Sequence, residues 1–372
     1  MLIGVPKEIK NHEYRVGMTP AAVREVIAHG HQVIVETNAG GAIDLTDDAY
    51  RAAGATIVDA AEEVFAKADM VVKVKEPQPG ECKMLREGQV LFTYLHLAPD
   101  PQQAKLLQES GCIAIAYETV TDMRGGLPLL APMSEVAGRM AIQAGARALE
   151  KSAGGRGTLL GGVPGVPSGK VVVLGGGVVG LNAAKMAMGL EAEVVVLDKS
   201  HARLKELDMH YGGRMQTIYS TNDAVEEYVT QADLVVGAVL VPGANAPKLV
   251  NRPMLSKMQK GSVVVDVAID QGGCFETSKP TTHADPIYIV DDVVHYCVAN
   301  MPGGVARTST FALNNVTLPF TVALADKGWR EALSDDAHLR NGLNVAHGKI
   351  THEAVAEALG ADYTPADKAI AG

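Results

Sequence analysis

Gly175, Gly177 and Gly180 are spaced as G-x-G-x-x-G, directly after the apolar run Val171–Leu174 and directly before the small, apolar stretch Val178–Gly189. A strand, a glycine turn and a helix in that order bring bare backbone amides, and the positive end of a helix, up to a pyrophosphate. Asp198 closes the next apolar run, Val194–Leu197, eighteen residues after the last glycine. A carboxylate at that strand end accepts hydrogen bonds from adenosine ribose hydroxyls and repels a 2′-phosphate. The residues therefore favour NAD over NADP, with Lys199 beside the acid as an opposing charge.

Four more residues fall where an open α/β sheet places its ligands, past the C-terminal ends of expected strands. Arg15 lies in the loop after Leu2–Val5, Lys75 follows Met70–Val74, His96 follows Gln89–Tyr94, and Asp270 comes four residues after a strand ending at Asp266. Taken singly, Arg15 and Lys75 read as solvated surface charges, His96 as a satisfied turn histidine and Asp270 as a loop cap. Taken together, three from one domain and one from the nucleotide domain fit a cleft closed over two ligands.

The elements that must position these residues follow from periodicity and caps. β-rich runs at Leu2–Val5, Gln32–Glu36, Met70–Val74, Gln89–Tyr94 and Cys112–Ala116 alternate with helical stretches, which predicts a parallel α/β sheet. Pro20–His29 is expected as a helix with Thr19 as N-cap, and Asp100–Ser110 as a second capped helix. A helix rich in alanine and glycine, capped by Ser134 and ending near Lys151, is expected to cross between domains. The glycine- and proline-rich stretch Ser152–Gly169 then delivers the chain into the nucleotide-binding strand. Strands at Met215–Tyr219, Leu234–Gly237, Ser262–Asp266 and Ile287–Val290 complete a second doubly wound sheet. Thr308–Ala325 reads as a long helix returning to the first domain, and the tail as helical cover for it. The fold class is thus α/β, with two doubly wound parallel-sheet domains. One, residues 131–305, is a Rossmann nucleotide-binding domain; the other is discontinuous, residues 1–130 with 306–372.

Composition narrows the partners. A chain of 372 residues exceeds what one core supports. Its net charge of −10 leaves no basic surface for nucleic-acid phosphates or anionic lipid. No apolar run approaches a bilayer-spanning length, and Pro6 and Lys7 interrupt the start before a signal sequence develops, so a soluble cytoplasmic protein is expected. Cys82, Cys112, Cys274 and Cys297 stand far apart, as buried reduced thiols rather than disulfides or a structural zinc site, and no metal is expected.

Longer segments carry a resemblance. Gly4–Pro20 (GVPKEIKNHEYRVGMTP), Val72–Pro77, Tyr94–Ala98 (YLHLA), Val171–Ala187, Val263–His283 and Val298–Thr310 resemble the alanine dehydrogenase family nearly end to end. The resemblance implies reversible NAD-dependent oxidative deamination of L-alanine to pyruvate and ammonium. It implies that Arg15 and Lys75 bind the substrate carboxylate and carbonyl oxygens, that His96 is the general acid/base, and that Asp270 is its charged partner. The chemistry is compatible: arginine offers a planar fork, lysine a compact charge for an oxyanion, and imidazole exchanges protons near neutrality. The implied course runs from a neutral amine through an iminium, whose charge Asp270 supports, and a carbinolamine, with His96 moving the protons.

By the same resemblance Tyr94, Met133 and Asn300 line a small substrate pocket. Further nucleotide contacts fall to Ser134, Val178, Val179, Arg203, Ser220, Val239, Leu240, Val267, Ala268, Ile269, Asp270 and Lys279, with Val298, Ala299, Asn300 and Met301 beneath the nicotinamide. Arg203 and Lys279 each stand where the family leads one to expect the other basic type, which bears on phosphate grip because lysine cannot bond bidentately. A homohexamer is implied. Two other readings share the two-domain plan: the NAD-binding component of a transhydrogenase, which does not need Lys75, His96 and Asp270 together, and a non-catalytic NAD(H)-binding sensor, which tolerates their loss.

Overall fold

Runs rich in valine and isoleucine form the strands, because branched side chains suit a sheet buried on both faces. In the computed structural model, which describes residues 1–239 and 246–371, the chain divides into two compact units, Met1–Met133 with Val305–Gly372, and Ser134–Gly304. The first unit opens with β1 (Leu2–Val5), β2 (Gln32–Glu36), β3 (Thr56–Val58), β4 (Met70–Val72), β5 (Val90–Thr93) and β6 (Ile113–Ala116). All six run parallel, in the order β3-β2-β1-β4-β5-β6. The direction of winding reverses between β1 and β4, and a crevice at such a reversal is where ligands bind in open α/β sheets.

Caps fix the connecting helices. Thr19 accepts the Ala22 N–H at 3.3 Å to start helix Pro20–Ala28. Asp100 accepts the Gln103 N–H at 3.0 Å to start Pro101–Ser110, which ends at Gly111 in the left-handed conformation. In both, proline fills the first helical position, where its missing N–H costs nothing.

The second unit holds β7 (Lys170–Leu174), β8 (Glu193–Asp198), β9 (Gln216–Tyr219), β10 (Leu234–Gly237), β11 (Val263–Asp266), β12 (Ile287–Val290) and β13 (Val293–Tyr296), in the order β12-β13-β11-β10-β7-β8-β9. Alternation decides the two cores: Val171 and Val173 pack on one face of β7, Val172 and Leu174 on the other. Each fully buried valine contributes about 1.5–3 kcal/mol. Here the winding reverses between β7 and β10, so the glycine turn after β7 lies at the reversal.

Three expectations are corrected. The helix expected to be capped by Ser134 and to end near Lys151 spans Ala131–Ala148, because Pro132 fits the first turn and starts it earlier; Ser134 lies inside that turn. The tail is not wholly helical: β14 (Leu343–Ala346) pairs antiparallel with β6 and with β15 (Lys349–Ile350), extending the first sheet to eight strands. The sheets are therefore mixed. β12 is antiparallel to β13, a strand that sequence reading missed. Each hairpin turns on two left-handed residues, Asp291–Asp292 and His347–Gly348, the conformation a two-residue turn needs to match strand twist. The long helix runs Ala306–Asp335, broken at Gly328, where φ is 74° and ψ is 156°.

Candidate functional site

In the first unit the loop after β1 folds back over the end of β4. Gly17 makes this approach possible, since a Cβ there would stand 2.3 Å from the Val72 carbonyl oxygen. Arg15 is not a solvated charge: it is 1% exposed. Glu13 holds its guanidinium side-on, accepting from Nε at 2.7 Å and Nη2 at 2.6 Å, and Nη1 points to the Met133 sulfur at 3.1 Å. Burial would lower the guanidinium pKa, but the Glu13 carboxylate outweighs it and holds Arg15 above its ordinary value. Arg15 is thus a fixed cation, oriented by a residue that sequence reading overlooked. The acid two positions before the arginine was the available signal.

Lys75 follows β4, with its side chain 16% exposed and its Nζ 3.9 Å from the Glu76 carboxylate. Behind it Lys73 is fully buried between Glu8, at 3.1 Å, and Glu81, at 2.8 Å. Burial alone would pull the Lys73 ammonium down; the two carboxylates overcome that and hold it above its usual pKa. None of these three entered the sequence reading, because a buried lysine is indistinguishable from a surface one until its neighbours are known.

Tyr94 and His96 follow β5. Tyr94 is buried, donates to the Leu129 carbonyl at 2.5 Å, and stacks on His96 with 5.8 Å between ring centroids. Burial pushes the Tyr94 phenol up, so it stays neutral. His96 adopts a positive φ of 50°, an uncommon conformation for a non-glycine residue. Glu118 maintains it by accepting the backbone N–H of His96 at 2.6 Å and of Leu95 at 3.2 Å. The imidazole is left half-exposed, 43%, with Nδ1 3.9 Å from Glu118. Arg15, Lys75, His96, Tyr94 and Met133 all belong to this unit, and the first three follow β1, β4 and β5, the strands at and beside the reversal.

The second unit carries the nucleotide-type residues. Gly175 has a φ of 97°, and a Cβ on Gly180 would lie 1.8 Å from the Gly175 carbonyl oxygen, so both glycines serve the protein's own packing. Gly177, N-cap of helix Val178–Gly189, differs: a Cβ there would meet nothing within 4 Å. Room beside a helix N-terminus whose amides point outward suits a phosphate group brought against bare backbone. Gly138 lets helix Ala131–Ala148 close on that helix, its would-be Cβ 2.2 Å from the Val179 carbonyl oxygen.

Asp198 has a structural task in the turn. Its carboxylate accepts the N–H of Gly176 at 2.7 Å and of Ser200 at 2.7 Å, tying the glycine turn to the end of β8. Arg203 donates to the Gly176 carbonyl at 2.6 Å and pairs with Glu206, and Ser220 donates its N–H to the Asp198 carbonyl at 3.0 Å. Val239 follows β10, its carbonyl accepting from Cys274 Sγ at 3.9 Å. Leu240 lies outside the described residues.

Asp270 stands exposed in the turn Ile269–Gln271, after β11, with Val267 and Ala268 leading into it. The buried acid just before it, Asp266, shapes this loop by accepting the N–H of Ala268 at 3.2 Å and of Cys274 at 2.8 Å and the hydroxyl of Ser278 at 2.5 Å. Burial nevertheless raises the Asp266 carboxyl above its ordinary value. Lys279 lies with Nζ 4.4 Å from the Tyr288 ring centroid. Val298 bridges Thr281, and the Asn300 carbonyl meets His283 Nε2 at 2.7 Å, which anchors the segment through Ala299 and Met301. A separate concavity of about 440 Å³, lined by Met188, Glu191, Arg214 and Gln216, opens by the starts of β8 and β9. It lies at the wrong strand ends for the ligand site of an α/β sheet.

Two α/β units, one with a glycine turn at its topological reversal and the other with fixed cations at its own, define a dinucleotide-dependent class of enzyme. The model of the family "Alanine dehydrogenase/PNT" matches through its N-terminal domain over residues 4–137 and its C-terminal domain over residues 141–353. An alanine dehydrogenase from Halomonas elongata is 63% identical over 98% of this chain and 99% of its own, and one from Bacillus subtilis is 55% identical over 100% and 98%. A solved structure titled L-alanine dehydrogenase superposes with a TM-score of 0.94 at 52% identity, covering 97% of this chain and 99% of that one. A transhydrogenase from Sinorhizobium meliloti, at 24% identity and a TM-score of 0.82 over 95% and 100%, shares the fold. The chain belongs to the alanine dehydrogenase/PNT family.

Proposed function

We propose that this protein is an L-alanine dehydrogenase that uses NAD, with the substrate bound by the first unit and the nucleotide by the second. The observation that carries this reading is the full-length likeness to alanine dehydrogenases of several organisms. The open cradle at Gly177 fits a nicotinamide dinucleotide, which supplies the two-electron redox chemistry when bound. Asp198 favours NAD over NADP because a 2′-phosphate would meet its carboxylate. Gly175, Gly177, Val178, Val179, Gly180, Ser134, Arg203, Ser220, Val239, Lys279 and the segments Val267–Asp270 and Val298–Met301 are its proposed contacts.

Arg15 holds the substrate carboxylate and Lys75 the carbonyl oxygen as it gains charge. Tyr94 and Met133, beside Arg15, are the proposed walls for a small side chain. Asp270 supports the positive charge of the iminium formed from the amine. His96, exposed enough to reach a ligand, takes and returns protons through the carbinolamine to pyruvate and ammonium. The protein's share of catalysis is alignment and fixed charge. The proposed setting is the cytoplasm and the proposed assembly a homohexamer; among the described residues no helix is long and apolar enough to cross a membrane.

The test is absorbance at the NADH band with NAD+ and L-alanine, repeated with NADP+ and with D-alanine. A signal with NAD+ and L-alanine is expected, and little with either substitute. No signal in either direction with L-alanine, pyruvate and ammonium would sink the assignment.

A further inference from the structure

Three consecutive residues past β4 give their donors to one carboxylate. Glu8 Oε2 accepts from Lys73 Nζ at 3.1 Å, while Glu8 Oε1 accepts the N–H of Val74 at 2.7 Å and of Lys75 at 3.3 Å. Glu81 takes the Lys73 ammonium from its other side at 2.8 Å and is itself fixed by the Gln78 N–H at 2.7 Å. The side chains of Lys73, Glu8 and Glu81 are 0%, 2% and 2% exposed. Buried charged triads are often no more stabilising than apolar side chains of the same volume, so the bonds this one makes to the neighbouring backbone point to a geometric purpose. Glu8 sits on the loop that carries Arg15, and the turn it grips carries Lys75.

We propose that Glu8 is a positioning residue: it locks the Lys73–Lys75 turn to the Arg15 loop and so sets the spacing at which Arg15 and Lys75 hold an α-keto acid. This rests on the assignment of Arg15 and Lys75 to the substrate. The carboxylate and carbonyl oxygens of a keto acid sit on adjacent carbons, so their separation is fixed, and a small error in the two cations misplaces the reacting centre. Lys73 serves as the counter-ion that allows a carboxylate to do this in a dry interior. Glu81 shares the counter-ion but bonds neither Val74 nor Lys75.

Two comparisons test it. Glu8→Gln and Glu81→Gln each remove one charge partner of Lys73, but only at position 8 must the amide turn its oxygen to the Lys73 ammonium and so present its NH2 donors to the Val74 and Lys75 N–H groups. Glu8→Gln is expected to raise KM for pyruvate at least tenfold, with NADH affinity within twofold of the parent and Glu81→Gln within threefold for pyruvate. In a neutral background, Glu8→Gln/Lys73→Met/Glu81→Gln keeps a carbonyl acceptor for the two N–H groups, whereas Glu8→Leu/Lys73→Met/Glu81→Gln does not. The first is expected to stay within about threefold of the parent KM and the second to exceed tenfold. Equal effects of the single variants, or equal KM in the two neutral triads, would show Glu8 to be only a buried charge partner. Normal turnover in Lys75→Ala would instead overturn the substrate-site reading itself.

Discussion

At the residue scale, the proposed proton and charge carriers differ from their surroundings in being accessible. His96 projects from a backbone conformation that Glu118 maintains, and Asp270 stands on a loop that Asp266 shapes. His96→Ala and Asp270→Asn are each expected to cut turnover at least a hundredfold, the scale of acid/base loss, while fluorescence titration still shows NADH binding. Near-normal turnover in either would mean the wrong residue carries the role. Arg15, Lys75, His96 and Asp270 each follow a strand that forms; position singled them out for weighing, and the family resemblance supplied their proposed roles. What could not be read was their state. Taken singly Arg15 read as a solvated charge, but it is buried, because a side-on carboxylate from Glu13 makes burial tolerable once the loop folds.

At the element scale, the glycine turn separates two uses of a missing side chain. Gly180→Ala would force a methyl against the Gly175 carbonyl and is expected to cost about 2–3 kcal/mol or more, seen as a lower melting temperature. Gly177→Ala meets no protein atom, so the fold should be preserved while the Kd for NADH rises at least tenfold; unchanged affinity would argue against phosphate approach at that amide. A second element-scale prediction concerns β13. His295 is buried there, bonded to Thr277 at 2.8 Å and to the Val293 carbonyl at 3.0 Å, and burial holds its pKa below the ordinary 6.5. The folded protein therefore resists a proton that the unfolded chain accepts. Stability should fall as pH drops through about 6.5 and level off below the depressed folded value. Burial shifts His352 the same way, so His295→Gln should make the melting temperature less steep between pH 7 and pH 5 without flattening it. Identical slopes would show that His295 is not among the groups responsible.

At the scale of the whole molecule, light scattering on the purified chain is expected to give a hexamer, and a monomer would remove that proposal. The element pattern was readable where strands and helices alternate, since valine-rich runs, capping threonine and aspartate, and proline at the first helical turn are local signals. It failed at the sheet margins. β3, β13, β14 and β15 were missed: they are short, the hairpin turns are Asp291–Asp292 and His347–Gly348, and pairing of β3 with β2, β13 with β11, β14 with β6 and β15 with β14 decides that they are strands at all. By itself the sequence determined the nucleotide turn, the alternation of elements and the strand ends that bear charge, because each depends on residues near one another along the chain. Only the tertiary structure decided which charges are buried and that Glu8 reaches the Lys75 backbone. Those facts depend on atoms from distant segments meeting within a few ångströms, and no spacing along the chain encodes that distance.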